Sequence, residues 1–228
     1  VTETPVSEER RDQPLVIRIT HWLNVPLLVL LAMSGLQILV AYPYLGPSGA
    51  LYGWYPFQGH PPPSWMRLGA WLAGARALHF FAMWPFLLNG AIYLGALLRH
   101  REWSRRAFLP ARDGKNALLQ GLAYLRLRKE PPAQGFYNGL QRLGYTSALV
   151  LGVVLVLSGL GVWKPVQLSF IAALFGGYDG ARAAHLLALA AMAGFVVGHV
   201  AMVLLHPKTF PPMLTGGAKR VPTSTDHQ

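Results

Sequence analysis

The chain has 228 residues, 53% of them hydrophobic and 13% charged, with a net charge of +11 and no cysteine. The lack of cysteine excludes disulfides, iron–sulfur clusters, zinc–thiolate sites and a haem attached through C-x-x-C-H. The positive charge does not point to nucleic acid, because no polar domain carries a basic patch interleaved with aromatics.

Residues 1–14 are polar and of mixed charge, and the apolar run behind them is too long for the h-region of a cleaved leader. A cytoplasmic tail over 1–14 ahead of a retained span is the expectation. Four windows, 21–40, 78–98, 143–163 and 183–205, contain no Asp, Glu, Lys or Arg. About 20 apolar residues cross the ~30 Å hydrocarbon core. The sequence therefore predicts an all-α protein, a four-transmembrane-helix bundle over 15–205, with a second cytoplasmic tail over 206–228. Of the 20 lysines and arginines, all but Arg67, Arg76, Lys164 and Arg182 lie before the first window, between the second and third, or after the fourth. This is the positive-inside pattern. It predicts that both termini and the middle stretch face the cytoplasm.

Between the first two spans, 41–71 is rich in Pro, Gly, Tyr and Trp and contains Gly59-His60-Pro61-Pro62-Pro63. It reads as an outside loop whose aromatics rest at the interface or dock a partner. Pro85 in the second span predicts a kink. Over 116–128, Leu118, Leu119, Leu122 and Leu125 recur at helical spacing among cations, as in an interfacial helix. A short apolar segment over 165–177 predicts another, ending at Gly176-Gly177.

The second and fourth spans open on similar strings, Gly74-Ala75-Arg76-Ala77-Leu78-His79 and Gly180-Ala181-Arg182-Ala183-Ala184-His185. Met33-Ser34-Gly35-Leu36 and Leu157-Ser158-Gly159-Leu160 form a weaker echo in the first and third. A duplicated two-helix unit is one explanation. Any symmetry is incomplete, because Tyr93 stands where the fourth span has His199.

Four histidines lie in or at the ends of spans. His185 and His199 are fourteen residues apart. That is ~21 Å along a helix and only ~40° short of four turns, so both rings leave one face. With the predicted span directions, His79 matches His185 in depth on the outer side, and His21 matches His199 on the inner side. Ionisable groups within a membrane are costly and mark function. Bundle cores build cofactor sites from facing helices. The pattern predicts two non-covalent b-type haems, each held by two imidazoles: an outer one by His79 and His185, an inner one by His21 and His199. Arg18, Arg76 and Arg182 each lie three residues before one of these histidines, on the same face. They are the expected partners of the haem propionates, with snorkelling as the plainer explanation. Gly194 and Gly198 form a G-x-x-x-G string next to His199, read as close helix packing or as room for a macrocycle. His60, His100, His206 and His227 fall in loops, ends or the tail and are read as non-ligands.

Together with Arg18-Ile19-Thr20-His21-Trp22-Leu23-Asn24, the stretch Phe136-Tyr137-Asn138-Gly139-Leu140-Gln141-Arg142, Trp163-Lys164-Pro165 and Phe175-Gly176-Gly177-Tyr178, these histidines give a resemblance covering 18–215. The chain resembles the four-helix di-haem cytochrome b subunits of periplasmic respiratory oxidoreductases. These include formate dehydrogenase gamma subunits, nickel–iron hydrogenase b-type cytochromes and thiosulfate-reductase-type cytochromes b. The resemblance implies the same histidine pairing. It also implies an exchangeable quinone beside the inner haem, with Asn138 and Gln141 at its pocket; helix capping by Asn138 is the structural alternative. It further implies a periplasmic catalytic partner, best a molybdenum-containing (molybdopterin) oxidoreductase, or a cytochrome c. The loop over 41–71 is long for the formate dehydrogenase type, which leaves the partner open.

The expected function is electron transfer between that partner and the membrane quinone pool. A free-standing cytochrome b561-type oxidoreductase, passing electrons from superoxide or another small donor to quinone, is the alternative. A proton-coupled transporter with a histidine relay is disfavoured by the absence of any acidic residue within the spans.

Overall fold

The computed structural model describes residues 13–47, 50–99, 102–130, 132, 137–207 and 210–216. Parts of both predicted tails, together with His100, Phe136 and His227, lie outside the described residues. The described residues form helices α1 (Leu15–Leu39), α2 (Leu72–Arg99), α3 (Glu102–Arg106), α4 (Pro110–Tyr124), α5 (Gly139–Trp163), α6 (Ser169–Ala173), α7 (Tyr178–Leu205) and α8 (Pro211–Thr215), with a 3₁₀ turn at Ser64–Met66 and no strand. The all-α, four-span architecture is as the sequence predicts, and α1, α2, α5 and α7 are each long and apolar enough to cross a membrane.

All four long helices begin before their uncharged windows, because the windows stop at Arg18, Arg76, Arg142 and Arg182 whereas the backbone does not. An arginine stem can lie along its own helix while the guanidinium reaches water. The helix α2 continues through Pro85, and α1 through Pro26. Large apolar side chains such as Phe81, Leu88, Val197 and Leu204 face outward and are exposed on the isolated chain. Helices apolar on every side are membrane elements.

The long helices pair as two hairpins, α1 on α2 and α5 on α7. Small residues line the close approaches: Ala75, Ala82 and Ala181 are fully buried, as are Ser34 and Ser158. Within the first hairpin, buried Asn89 donates to the Thr20 carbonyl at 2.8 Å and to Asn24 Oδ1 at 2.7 Å. A polar side chain in an apolar helix is thereby satisfied, one residue from His21.

One end of the bundle carries both described chain ends and the helices α3, α4 and α8. There α4 packs on α5. It starts six residues before the predicted interfacial helix, because Pro110 occupies its first turn, where a missing N–H costs nothing. Its buried face is Asp113, Ala117 and Gln120, whereas Leu118 and Leu125 point outward. The C-terminal α8 folds back onto α1: Arg18 donates to the Leu214 carbonyl, and Trp22 Nε1 to that of Met213 at 3.0 Å.

At the opposite end, the loop between α1 and α2 has a fold of its own. Gln58 receives the Leu45 N–H at 3.1 Å and donates to the carbonyls of Leu45 and Tyr52 at 2.8 and 3.0 Å. Leu45 and Tyr55 are buried against Ala183 of α7. The segment between α5 and α7 is helical only over α6, and Gly176 and Gly177 follow with φ of 82° and 94°. This left-handed backbone favours glycine.

The echo seen in the sequence extends to whole helices. The helices α1 and α5 have 25 residues each, and their starts, Leu15 and Gly139, are 124 positions apart. The helices α2 and α7 have 28 each, and their starts, Leu72 and Tyr178, are 106 apart. The same shifts relate Ser34 to Ser158 and His79 to His185.

Candidate functional site

The structure brings the four span histidines together in two pairs. His79 on α2 and His185 on α7 have ring centroids 6.4 Å apart with planes 68° apart. His21 on α1 and His199 on α7 are 6.0 Å apart with planes 62° apart. These are the pairs expected from span direction and depth. The first lies toward the loop end of the bundle, the second toward the end with the chain termini.

The spacing is informative. A metal–imidazole bond is about 2 Å and a ring nitrogen lies about 1.1 Å from its centroid, so two rings on opposite sides of one metal ion stand roughly 6 Å apart. Rings sharing such an axis are free to rotate about it, so planes at 62° and 68° are compatible. Among the described residues no group of three or more His, Cys, Asp or Glu side chains could hold a metal ion. A bare ion would need more protein ligands than two. A haem iron brings four porphyrin nitrogens and needs only the two axial ones. The donor set fits haem and does not fit a free cation.

Hydrogen bonds fix the rings of the loop-end pair. Ser34 Oγ donates to the Leu30 carbonyl at 2.5 Å and lies 3.0 Å from His79 Nδ1. Ser158 Oγ donates to the Val154 carbonyl at 2.5 Å and lies 3.0 Å from His185 Nδ1. Each hydroxyl has one proton, given to its own helix four residues back, so it receives the Nδ1–H of the histidine. The Nε2 lone pair of each ring is then left for a metal, the second-sphere arrangement common to metal-ligating histidines. The adjacent glycines give the rings room. A Cβ on Gly35 would stand 3.3 Å from His79 Cε1, and one on Gly159 3.1 Å from His185 Cε1. The Ser-Gly echo is thus a repeated device for seating a histidine.

The other pair is held differently. His199 stacks on Phe195 at 5.9 Å, and His21 meets Trp22 edge-on at 5.2 Å. His21 Nδ1 is buried without a hydrogen-bond partner. The same is true of Arg18 Nε one turn away, and at the loop end of Tyr55 Oη and Arg67 Nε. Buried polar atoms without partners are costly and rare. Arg18 Nε at the terminal end, and Tyr55 Oη and Arg67 Nε at the loop end, are what a polar cofactor edge would complete.

The predicted arginines have unequal surroundings. Arg18 keeps Nε free while its terminal nitrogen holds Leu214. Arg76 is exposed near the start of α2. Arg182 donates to the carbonyls of Tyr42 and Tyr44 at 3.1 and 3.0 Å, stacks on the Tyr42 and Tyr178 rings, and lies 4.0 Å from Asp179. Arg182 therefore anchors the loop to α7.

Asn138 and Gln141 form a capping box at the start of α5. Asn138 Oδ1 accepts the Gln141 N–H at 2.8 Å, and Gln141 Oε1 accepts the Asn138 N–H at 3.1 Å. The box uses the two oxygens and leaves the side-chain NH₂ groups outside it. Gly194 and Gly198 do not mediate close packing, since no atom lies within 4 Å of a Cβ placed on either. His60 and His206 are exposed, His206 lying against Tyr124 at 5.5 Å.

The sequence reading missed Asn89, Tyr55, Arg67 and the role of the two serines. Asn89 was visible as a lone amide in an uncharged window. Tyr55 and Arg67 carry no local signal, because the loop fold alone brings them to the bundle. The helix shifts of 124 and 106 also map His21 onto Tyr145 and His199 onto Tyr93. These tyrosines line one small cavity with Trp103, Arg106 and Thr146. The terminal-end pair thus has a structural twin that carries phenols instead of imidazoles.

Residues 12–216 match the family described as prokaryotic cytochrome b561. The chain is 38% identical over 208 residues, 89% of its length and 95% of the relative's, to a protein of Azospira oryzae named as a putative protein-methionine-sulfoxide reductase subunit YedZ1.

Proposed function

From the membership of this chain in the prokaryotic cytochrome b561 family, a family of membrane haem proteins, we propose that it is a di-haem subunit linking the membrane quinone pool to a periplasmic redox enzyme. The observation that carries this reading is the pair of imidazole pairs, one toward each end of the bundle, both at haem-ligand spacing. By the charge distribution, the end with the chain termini is cytoplasmic and the loop end periplasmic.

Haem bound at the two pairs supplies a one-electron couple on each side of the membrane. The protein's own residues do the rest. Ser34 and Ser158 set the tautomer of His79 and His185. His21, His79 and His185 are half-buried and His199 is exposed on the isolated chain, so the hydrocarbon around the apolar helices is what keeps bulk water from the sites. Arg18 offers its free Nε to an inner propionate; Arg76 is placed for an outer one, and Arg182 holds the loop above it. Asn138 and Gln141 offer amide donors to the carbonyls of a quinone at the cytoplasmic edge.

The relative's name supports a methionine-sulfoxide-reducing partner. Returning a sulfoxide to the thioether takes two electrons and two protons and releases water. With such a partner the flow runs from quinol to the inner pair, then to the outer pair and outward. A molybdenum centre, if the partner has one, would lie on that subunit.

Two measurements test the reading. Purified protein is expected to show a b-type spectrum with two haems per chain, and His185→Ala to lose the outer one. A pull-down from native membranes is expected to bring a catalytic subunit, whose metal content and sulfoxide reduction are then assayed. A folded chain without haem would sink the proposal, and a haem-loaded chain without a partner would favour the free-standing oxidoreductase.

A further inference from the structure

We propose that Tyr55 and Arg67, both from the loop between α1 and α2, bind the propionates of the outer haem. The inference rests on the di-haem reading and adds two residues to it. Tyr55 is only 3% exposed, yet its hydroxyl has no hydrogen-bond partner. A buried hydroxyl left unpaired is destabilising, by roughly 1–3 kcal/mol, so the fold places it there for a group that completes it. The place is defined: Tyr55 packs on Ala183, two residues before His185 on the same helix. Burial pushes the Tyr55 phenol up, against the pull of the Arg182 charge, so at neutral pH it is a donor.

Arg67 approaches from the other hairpin. The next residue, Leu68, donates its N–H to the Met33 carbonyl at 3.1 Å. Met33 precedes Ser34, whose hydroxyl holds His79. Arg67 Nε is buried and unpartnered. Both donors thus lie at the loop end, at the level of the turns that carry His185 and Ser34, both come from one loop, and both lack a protein acceptor. Their shared complement is anionic, accepts hydrogen bonds and sits at the rim of a site whose centre takes imidazole. The two carboxylates of a haem meet all three conditions. Arg182, engaged by Tyr42 and Tyr44, keeps the loop in place instead of filling this role.

The test uses the full-length haem-loaded protein, with Tyr55→Phe, Arg67→Gln, Arg67→Lys and, as a control in the same loop, Tyr52→Phe. The outer haem is identified as the signal missing in His79→Ala. Removing a donor from an anionic propionate favours ferric iron, so the outer midpoint potential is expected to fall in Tyr55→Phe and further in Arg67→Gln. A tenfold change in the oxidised-to-reduced ratio at fixed ambient potential, about 59 mV for a one-electron couple, is the scale expected for Arg67→Gln. Arg67→Lys is expected to restore part of it. The propionate bending bands of the resonance Raman spectrum shift in Tyr55→Phe, while the inner haem and Tyr52→Phe stay as wild type. Two haems per chain with wild-type outer potential and propionate bands in both Tyr55→Phe and Arg67→Gln would overturn the proposal and leave the di-haem reading standing. Fewer than two haems in the wild-type protein would overturn both.

Discussion

One methyl group decides the sign of two glycine substitutions. Glycine inside a helix is less stable than alanine by roughly 0.5–1 kcal/mol, so Gly→Ala there usually helps. At Gly35 and Gly159 the new carbon meets an imidazole edge at 3.3 and 3.1 Å. Both variants are expected to bind less haem at the outer site, Gly159→Ala the more so, measured as the haem-to-protein ratio. An unchanged ratio would mean the rings have slack that the hydrogen bonds do not show. Ser34→Ala and Ser158→Ala leave the space and remove the acceptor. Each strands a buried Nδ1–H, a loss of about 1–3 kcal/mol. The expected signature is a raised outer midpoint potential and altered ferric electron paramagnetic resonance, since a ligand that loses its acceptor is a weaker donor to iron. The four histidines were legible because ionisable residues stand out in an apolar run. The serines were visible only as an echo, because a hydroxyl in a helix ordinarily bonds its own backbone, and these do so as well.

At the scale of elements, capping at the junction of α4 with α5 can be tested apart from the proposed quinone contact. Asn138 caps α5, and Asn138→Ala is expected to lower thermal stability by about 1 kcal/mol. Asn138→Asp and Gln141→Glu keep the capping oxygens and replace the NH₂ donors. If those donors serve a quinone, the two acidic variants retain stability and lose quinol affinity; retained quinol kinetics would leave capping as the whole role. Asp113 ties the junction together. It accepts from Arg112 at 2.8–2.9 Å and from the Leu109 N–H at 2.9 Å, and lies 3.7 Å from Arg142 of α5. The Arg112 hydrogen bonds hold its carboxyl below the usual carboxylate range, against the effect of burial. A depressed folded-state pKa stabilises above the ordinary value near 4 and ceases to do so as pH falls through the lower folded value. Thermal melts are therefore expected to weaken below about pH 4 in the wild type, and Asp113→Asn to flatten that limb. The four spans were legible from length and charge alone. The ends of α4 were not, because its buried face is polar and small, and of the leucines that mark its periodicity Leu118 and Leu125 are exposed and Leu119 and Leu122 only half-buried.

Across the whole molecule, the two hairpins repeat each other in length and in their outer chemistry but differ at the opposite end. Short strings hinted at this, yet only the helix ends showed that the paired helices match in length from end to end. The loop over 41–71 has no counterpart between α5 and α7, and its fold depends on contacts far apart in sequence, such as Arg182 to Tyr42. Local pattern could not have placed Tyr55 or Arg67.

The tyrosines at the twin positions have a consequence for how damage spreads. A fully symmetric molecule would let either hairpin stand in for the other. Here α7 contributes to both imidazole pairs, whereas α1 and α2 contribute to one each and α5 to neither. A distortion of α7 reaches both sites together. Loss of the α1 histidine leaves the outer pair intact, and loss of the α2 histidine leaves the inner pair. If electrons pass through both pairs as proposed, the path has one shared link, and that link is a single helix.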